Sequence, residues 1–231
     1  DDGVWGWAQQ RSERGSNMAR VIALLCALGE PTPATTINRW CASSAEAVMR
    51  GADAIAAGQR DCVIAGGVES MSRVEMGDNM GNIHPGMNNE YNVFDLQMGM
   101  TAETVSEEYD ISREEQDEYA ARSQQRAAAA TESGRFAEEI VPVETEEGTV
   151  EEDEGIRPGT TAEKLADLPP VFKSDGTVTA GNAPPISDRA SATVLARREF
   201  AAGPGPDILS EAWNPTVARP RPPVLGCVPV S

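Results

Sequence analysis

Residues 36–48 read TINRWCASSAEAV, and this segment determines how the rest of the chain is interpreted. A short strand or turn leads to Cys41, and small residues follow it at once. Apolar residues then recur at helical spacing up to Gly58, namely Ala45, Val48, Ala52 and Ile55. Cys41 is therefore predicted at the N-terminus of a helix, where unpaired backbone N–H groups and the helix dipole favour the nucleophilic thiolate.

A strand is predicted directly after that helix. Residues 61–65 read DCVIA, an apolar run typical of a buried strand, and they continue into GGVESMS at 66–72. The helix thus connects two strands, which indicates an α/β fold with a layered core.

Three further elements are predicted before the cysteine turn. Residues 3–8 and 34–37 are each typical of a short strand, and between them Ser16 and Asn17 are candidate caps of a helix that ends at Gly29. The apolar positions expected to face the core are Met18, Val21, Ile22, Leu25 and Leu28.

The middle of the chain changes in character. Residues 74–96 are rich in Met, Gly and Asn with little periodicity, which predicts a loop excursion from the core. Thr101 is predicted to cap a short helix. Ser112 and Glu115 form the pattern of a capping box, which predicts a longer helix that ends at Gly134.

Shorter elements are predicted in the second half of the chain. Residues 140–143 predict a strand, and the acidic run 144–154 predicts a solvated turn or loop. No metal site is assigned to that run, because nothing in it fixes a coordination geometry.

Five motifs give the chain a resemblance to a known family. They are NRWCAS at 38–43, GGVESMS at 66–72, MGMTAE at 98–103, ISREEQD at 111–117 and GNA at 181–183. In this order they resemble the thiolases, acyl-CoA acyltransferases of the acetyl-CoA acetyltransferase type, from near residue 1 to about residue 200. Thiolases consist of two similar halves, so the resemblance implies an N-terminal part that lacks the first strand and the second half.

The resemblance implies a layered mixed sheet with helices and an inserted helical loop domain. The implied organisation is an N-terminal core at 1–73, a loop domain at 74–178, a return to the core at 179–212 with the last strand at 187–196, and an atypical tail at 213–231. Arg189 stands where the family usually has glycine, which puts the local packing there in doubt.

The same resemblance implies a chemistry used in fatty acid metabolism. Thiolases move an acyl group between acyl-CoA and CoA through an acyl-enzyme, and Cys41 occupies the position of the nucleophile. Coenzyme A is then a substrate, and no bound cofactor or metal is implied. The acyl-CoA-binding positions implied by the family are Met98, Gly181, Asn182 and Ala183.

The catalytic motifs of the family's second half, Gly-His-Pro, Asn-Glu-Ala-Phe and Cys-x-Gly-Gly, do not occur in this sequence. His84 is the one histidine and lies in the predicted loop excursion, and Cys227 is followed by Val-Pro. Three interpretations stay open: a thiolase that acts through Cys41, a non-catalytic CoA-binding fragment, and an interaction protein whose partner chain supplies the missing half.

The charge and composition limit the kinds of binding partner that are expected. A formal net charge of −18 and a pI near 4.4 argue against nucleic acid and anionic membrane surfaces. The spread of acidic residues suits either a halophilic source or an ordinary acidic cytosolic protein. An isolated half would expose apolar surface, so we expect poor solubility or association, as a homo-oligomer or with a complementary chain.

The cysteines indicate a reducing compartment. None of the four forms a CxxC pair, and Cys26 and Cys62 are predicted to be small core residues. With no signal peptide or apolar spanning segment in the sequence, we expect a cytoplasmic protein.

The tail differs from the rest of the chain. Residues 213–231 contain five prolines, and Arg219 and Arg221 are their only charges. A native linker is one interpretation. A reading-frame change is favoured, because composition and resemblance fail together.

Overall fold

The computed structural model describes residues 1–11, 15–74 and 84–201. These residues divide into two compact units, one formed by residues 1–11, 15–74 and 186–201 and the other by residues 84–185. The domain boundaries expected from the sequence, at 73/74 and 178/179, stay a prediction.

The first unit is built on a four-stranded mixed sheet. Its strands are β1 (Asp2–Gly6), β2 (Ala34–Ile37), β3 (Cys62–Ser70) and β6 (Asp188–Ala196), in the order β2-β1-β3-β6. Strand β1 runs parallel to both β2 and β3, and β6 is antiparallel to β3. The predicted strands at 34–37 and 187–196 are confirmed. The first strand is shorter than the predicted 3–8, because Trp7 and Ala8 leave the sheet.

Helix α2 (Ser43–Ala56) connects β2 to β3, as the sequence predicts, and Gly58 follows its end with a φ of +70°. The apolar residues whose spacing predicts this helix are half-buried or exposed. The buried residues of α2 are Ser43, Glu46, Ala47 and Gly51. Close approach explains the difference, since a Cβ at Gly51 would lie 2.8 Å from Leu195 Cδ1.

Helix α1 (Met18–Leu25) begins at the predicted cap, where the Asn17 side chain accepts a hydrogen bond from the Arg20 N–H. Its predicted core face is wrong, because Ala19 and Ala23 are the residues that are fully buried. Leu25 is 83% exposed. Alanine methyl groups are thus the fully buried part of this helix, while Met18 and Ile22 are half-buried and Val21, Leu24 and Leu25 are exposed.

The core of the first unit combines aromatic and small apolar side chains. Its buried apolar members are Trp5, Trp7, Ala19, Ala23, Ala47, Val63, Ala65 and Val74. Along β6, residues 188–194 are all exposed. Arg189 is therefore accommodated in a regular strand position, directly opposite Glu69, without disturbing the ladder. A short helix α7 (Arg198–Ala201) follows β6.

The second unit is mainly helical. Its helices are α3 (Met87–Glu90), α4 (Met98–Glu108), α5 (Arg113–Glu132) and α6 (Ala162–Ala166), with 3₁₀ turns at Val93–Leu96 and Phe136–Glu138. A two-stranded hairpin joins β4 (Val143–Thr145) to β5 (Gly148–Val150). In the described part of the chain, no helix is both long and apolar enough to cross a membrane.

The helix starts of this unit were predicted with mixed success. The capping box is confirmed, because the Ser112 hydroxyl accepts from the Glu115 N–H at 3.2 Å and the Glu115 carboxylate accepts from the Ser112 N–H at 2.9 Å. The cap at Thr101 is wrong. Helix α4 begins three residues earlier, and the buried Thr101 hydroxyl donates to the Met98 carbonyl instead.

The loop and strand predictions need two corrections. The strand predicted at 140–143 lies instead at 143–145, where it pairs in the exposed hairpin, and the acidic run forms this hairpin and the exposed residues after it. The excursion predicted at 74–96 contains α3 and a 3₁₀ turn. Its residues 75–83 lie outside the described part of the chain.

Candidate active site

The carboxyl ends of three parallel strands meet at one edge of the first unit. The segments that follow them are 7–10 after β1, 38–42 after β2 and the turn after β3. Ligand sites of open α/β sheets lie outside the carboxyl ends of the strands. The edge that carries Cys41 is therefore the one at which a functional site is expected.

Cys41 lies in a tight turn between β2 and α2. The Ala42 N–H donates to the Arg39 carbonyl at 3.1 Å, and the Ser43 N–H donates to the Trp40 carbonyl at 3.0 Å. Trp40, the residue before the cysteine, has a φ of +49°. An L-residue with a Cβ adopts this left-handed conformation at a cost of roughly 1–2 kcal/mol, so other contacts must hold the turn.

Two side chains hold the Trp40 peptide groups. The Asn38 carboxamide accepts from the Trp40 N–H at 2.8 Å and donates to the Ala8 carbonyl at 2.9 Å. The Ser43 hydroxyl accepts from the Arg39 N–H at 2.8 Å and donates to the Trp40 carbonyl at 2.5 Å. Asn38 and Ser43, both members of the predicted cysteine motif, are thus the residues that fix the strained turn.

A buried carboxylate adds a further connection. Glu46, which is 7% exposed, accepts from Arg39 Nε at 2.8 Å and from Arg50 Nε at 2.9 Å. Its burial is tolerated because both oxygens have cationic donors. Glu46 thus connects Arg39, two residues before Cys41, to the first turns of α2. The sequence analysis did not identify Glu46. The i, i+4 spacing of Glu46 and Arg50 was the available signal.

Two glycines bring the start of α2 onto the sheet. Gly6 and Gly67 pair in register between β1 and β3. A Cβ at Gly6 would lie 2.3 Å from the Ser43 carbonyl carbon, and one at Gly67 would lie 2.9 Å from Ser44 Cβ. Since neither position has room for a side chain, the helix N-terminus that follows Cys41 is seated directly on the sheet backbone.

Cys41 itself is exposed, two residues before the first residue of α2. The prediction of a cysteine at a helix start is confirmed in position. An accessible thiol beside the N–H groups of a first helical turn can act as a nucleophile, and those N–H groups can stabilise a developing oxyanion.

The other cysteines separate into different environments. The prediction that Cys26 is a core residue is wrong, because Cys26 is exposed just after α1. The apolar run that contains it is only partly buried, since Ala23 is in the core whereas Leu24 and Leu25 are exposed. Cys62 is half-buried, and Cys227 lies outside the described residues. Exposure alone therefore does not distinguish Cys41 from Cys26, whereas its turn does.

The proposed acyl-CoA-binding residues lie in the second unit. Asn182 is fully engaged in the loop that contains it, because its carboxamide donates to Asp117 Oδ1 and the Thr177 carbonyl, both at 3.0 Å, and accepts from the Thr179 N–H at 2.7 Å. Gly181 has no room for a side chain, since a Cβ would lie 2.5 Å from Leu165 Cδ2. The Asn182 amide shapes its own loop and has little capacity left for a ligand.

The other two predicted residues are placed differently. Ala183 is half-buried in the same loop, and Met98 is 50% exposed at the first position of α4. Gly99, the next residue, is in contact with the Phe172 ring, because a Cβ there would lie 2.3 Å from three ring carbons. These positions stay predictions for acyl-CoA binding.

A buried carboxylate that sequence reasoning did not assign organises the same loop. Glu103, 1% exposed, accepts from the N–H groups of Thr177 and Val178 at 2.9 Å and from the Thr177 hydroxyl at 3.1 Å. Asp117, 2% exposed, binds Arg113 Nε at 2.7 Å in addition to Asn182. Both carboxylates lie within the predicted motifs 98–103 and 111–117, which identifies these motifs as the supports of the GNA loop.

The remaining charged candidates have ordinary environments. Lys173 Nζ lies 2.5 Å from Glu107 Oε1, and this hydrogen bond raises the pKa of Lys173. His84 is exposed, and its Nδ1 accepts from the Gly86 N–H at 3.1 Å. Among the described residues, no group of three or more His, Cys, Asp or Glu side chains is arranged to hold a metal ion.

The larger surface hollow lies away from Cys41. It is formed by Asp1, by Pro31 and Thr32, and by residues 58–61. These segments precede β1, β2 and β3, so this hollow is at the opposite, amino-terminal edge of the parallel strands.

Comparison with known proteins gives these features a family. A family model for the N-terminal domain of thiolases matches residues 1–199. The chain is 41% identical to the 3-ketoacyl-CoA thiolase of Bacillus subtilis (strain 168), an alignment that takes in 100% of this chain and 62% of the relative. It is 42% identical to that of Vibrio vulnificus (strain CMCP6), with 100% and 61% covered. The chain thus spans about three fifths of the length of these curated relatives.

Solved structures agree with this assignment. Human mitochondrial 3-ketoacyl-CoA thiolase, in complex with CoA, matches with a TM-score of 0.75 and 38% identity over 87% of this chain and 54% of its own. The dimeric peroxisomal thiolase of Saccharomyces cerevisiae matches with a TM-score of 0.76 and 36% identity over 87% and 52%. The layered mixed sheet expected from the resemblance is therefore the thiolase fold, and the chain corresponds to about half of it.

The alignments also include the tail of the chain. Those to the bacterial relatives take in the whole chain, residues 213–231 included, so the resemblance extends beyond the expected limit near residue 200. The failure of the resemblance, one of the two grounds for a reading-frame change, is thereby removed.

Because the family model covers most of the chain and relatives match at about two fifths identity, the chain belongs to the thiolase family.

Proposed function

We propose that this chain acts in acyl transfer between 3-ketoacyl-CoA and CoA, with Cys41 as the nucleophile that carries the acyl group. The observation that carries the proposal is the turn at residues 38–43, which holds an exposed thiol at the start of α2. Membership of the thiolase family supports the substrate class.

In the proposed reaction the Cys41 thiolate attacks the 3-oxo carbon of the substrate. The bond between C2 and C3 then breaks, the electron pair goes to C2, and C2 takes a proton to release acetyl-CoA. The shortened acyl group stays on sulfur as a thioester. The thiol of a second CoA attacks this thioester and loses its proton, Cys41 leaves as the thiolate, and a new acyl-CoA is formed.

The turn contributes position and polarity to these steps. Holding Trp40 in its left-handed conformation directs the chain so that Cys41 precedes the helix without belonging to it. Backbone N–H groups of the first helical turn lie next to the sulfur in sequence, and they are suited to the negative charge that develops on the attacked oxygen. Such preorganised donors need no rearrangement during the reaction.

Acyl-CoA recognition is proposed for Met98, Gly181, Asn182 and Ala183. Because Glu103 and Asp117 hold the backbone from 177 to 182 in one conformation, that loop is suited to recognition by shape and backbone groups rather than by the Asn182 side chain. We further propose that the chain works with a second copy or with a chain that supplies the remaining part of the fold, in the cytoplasm.

The test is intact-protein mass spectrometry after incubation with acetyl-CoA or acetoacetyl-CoA. We expect an acetyl adduct on the wild-type chain that disappears in Cys41→Ala and persists in the matched control Cys26→Ala, which removes the other thiol that is exposed among the described residues. No adduct from a folded protein, or an adduct that survives Cys41→Ala, would overturn the proposal.

A second candidate is CoA binding without turnover. One observation favours it: among the described side chains, none forms a hydrogen bond with the Cys41 thiol, so no general base is in place there. Calorimetric titration with CoA would then give saturable binding, while the same preparation would form no thioester with acetyl-CoA.

A further inference from the structure

Glu69 has an unusual environment for a carboxylate. It is the last residue but one of β3, and its Oε2 accepts from the Ala8 N–H at 3.0 Å. Its Oε1 is buried and has no hydrogen-bond partner in the described part of the chain. A buried, half-satisfied carboxylate is costly, so its presence at the carboxyl edge of the sheet needs a reason.

Charge pairing with the neighbouring strand does not supply that reason. Arg189 lies directly opposite Glu69 in the register of β3 and β6. Within the described residues, however, the ion pairs formed by arginine do not include one between these two side chains, and Arg189 is exposed. The strongest contact of Glu69 is therefore the one with the Ala8 peptide.

The backbone of Ala8 connects Glu69 to the cysteine turn. The Ala8 carbonyl accepts from Asn38 Nδ2 at 2.9 Å, and Asn38 Oδ1 accepts from the Trp40 N–H at 2.8 Å. Three hydrogen bonds in series thus connect Glu69 to the residue before Cys41. They join the ends of β3, β1 and β2 in that order, since Ala8 follows β1 and Asn38 follows β2.

The direction of the donors makes this series depend on an acceptor at position 69. The Ala8 N–H and the Asn38 amide each donate, and each needs an oxygen aimed at it. If Glu69 loses its oxygen, the Ala8 N–H is free to turn toward water. The Ala8 carbonyl belongs to the next peptide group, joined to the first at the Ala8 Cα, so it moves away from Asn38 as the backbone of Ala8 turns. The left-handed conformation of Trp40 then loses one of the two side chains that hold it.

We propose that Glu69 is a positioning residue for Cys41, acting through the Ala8 peptide and the Asn38 carboxamide. This inference rests on the proposed function for its importance, since it concerns the same thiol. It assigns Glu69 no contact with the reacting atoms. What the residue provides is one hydrogen-bond acceptor at a fixed place, and its negative charge is not required.

The test is the second-order rate of alkylation of Cys41 by iodoacetamide at pH 7.5, measured by peptide mapping with the exposed Cys26 as an internal reference. Glu69→Met keeps the length of the side chain but removes the acceptor, and we expect the Cys41 rate to fall about 5- to 10-fold with the Cys26 rate unchanged. Glu69→Gln keeps a carbonyl oxygen and is expected to stay within about twofold of the wild type.

Two further variants complete the design. Asp188→Asn alters a carboxylate at the same end of the β3–β6 pair, where it binds Ser70 and Ser72, and it is expected to leave the Cys41 rate unchanged. Asn38→Asp breaks the series at the next link with Glu69 in place, because a carboxylate cannot donate to the Ala8 carbonyl. Asn38→Asp is expected to lower the Cys41 alkylation rate as much as Glu69→Met does. It replaces Glu69→Met in the test if that variant does not fold.

Amide hydrogen exchange provides a second readout. Protection of the Ala8 N–H is expected in the wild type and in Glu69→Gln and is expected to be lost in Glu69→Met. An unchanged Cys41 rate in folded Glu69→Met or Asn38→Asp, an equal fall for Cys41 and Cys26, or a Glu69→Gln as slow as Glu69→Met would overturn the inference. Because iodoacetamide reacts without any acyl-CoA, these results are independent of whether the acyl-transfer proposal holds.

Discussion

The two compact units are stabilised in opposite ways. In the first, tryptophan, valine and alanine side chains fill the core, and a helix start rests on paired glycines. In the second, the largest fully buried side chains are polar; they are Glu103, Thr101, Thr179 and Asp117. The first unit thus depends on close approach of backbones, and the second on buried hydrogen bonds whose partners must all be present.

This difference matters for the site. In the first unit, glycines seat the start of α2 on the sheet, and hydrogen bonds of Asn38 and Ser43 hold the turn that places Cys41. In the second unit, the buried carboxylates Glu103 and Asp117 hold the loop at residues 177–182, in which Val178 is buried. Substitutions should therefore separate the two kinds of stabilisation, and the following predictions run from the largest expected effect to the smallest.

The largest loss is expected for Glu103→Ala. It leaves the N–H groups of Thr177 and Val178 buried without an acceptor, at a cost of about 3–5 kcal/mol in the free energy of unfolding. Urea unfolding measures the loss, and hydrogen exchange at residues 177–178 locates it. The matched control is Glu107→Gln, on the exposed side of the same helix, and an equal loss in that control would remove the distinction between the units.

Gly6→Ala is expected to damage the first unit by crowding. The added Cβ would lie 2.3–2.6 Å from backbone atoms of Ser43 and Ser44, which cannot move without displacing α2, and overpacking of this kind costs about 2–3 kcal/mol. The control is Gly58→Ala at the other end of α2, where nothing lies within 4 Å and only the positive φ is strained, at about 1 kcal/mol. Equal unfolding midpoints for the two variants would contradict close seating of the helix start.

Ser43→Ala tests the turn itself. It removes the acceptor of the Arg39 N–H and one donor to the Trp40 carbonyl, so we expect a loss of about 1–2 kcal/mol and slower alkylation of Cys41. Ser44→Ala, one residue further along the helix, is the control and should leave the alkylation rate within about twofold. Should both variants react like the wild type, the Ser43 hydroxyl does not hold the turn.

The smallest effect is expected for the exposed pair of Lys173 and Glu107. The hydrogen bond to Glu107 raises the pKa of Lys173 above its ordinary 10.5. Because the pKa of Lys173 is higher in the folded than in the unfolded state, the hydrogen bond stabilises the folded state fully at pH values below 10.5. This stabilisation is lost as the pH rises through the pKa of Lys173 in the folded state. Lys173→Met should lower the Tm by no more than about 2 °C at pH 8, and the difference should vanish at more alkaline pH. A difference that grows with pH would reverse the assigned sign.

Sequence reasoning predicted the elements that depend on local patterns. The capping box at Ser112, the start of α1 at Asn17 and the strand–turn–helix around Cys41 all follow from residues close together in the chain. It failed where long-range packing decides, as on α1, where alanines rather than leucines face the sheet. Apolar periodicity indicates a face but not how closely the next layer approaches.

The candidate site was predictable to a similar extent. Cys41 and the two polar residues of its motif were found from the sequence, because they lie within six residues of one another. Glu46, Glu69 and Glu103 were not assigned roles, since a carboxylate in a sequence is normally exposed. Glu69 and Glu103 accept from donors in distant segments, which only the fold shows, whereas Glu46 accepts from Arg39 and from Arg50 of its own helix.

The central claim is that the turn, rather than exposure, makes Cys41 the reactive thiol. The most direct measurement is the distribution of acetyl label between cysteines after brief incubation with acetyl-CoA, mapped by tandem mass spectrometry of peptides. We predict at least about tenfold more label on Cys41 than on the equally accessible Cys26. Equal labelling of the two, in a chain shown to be folded, would contradict the account.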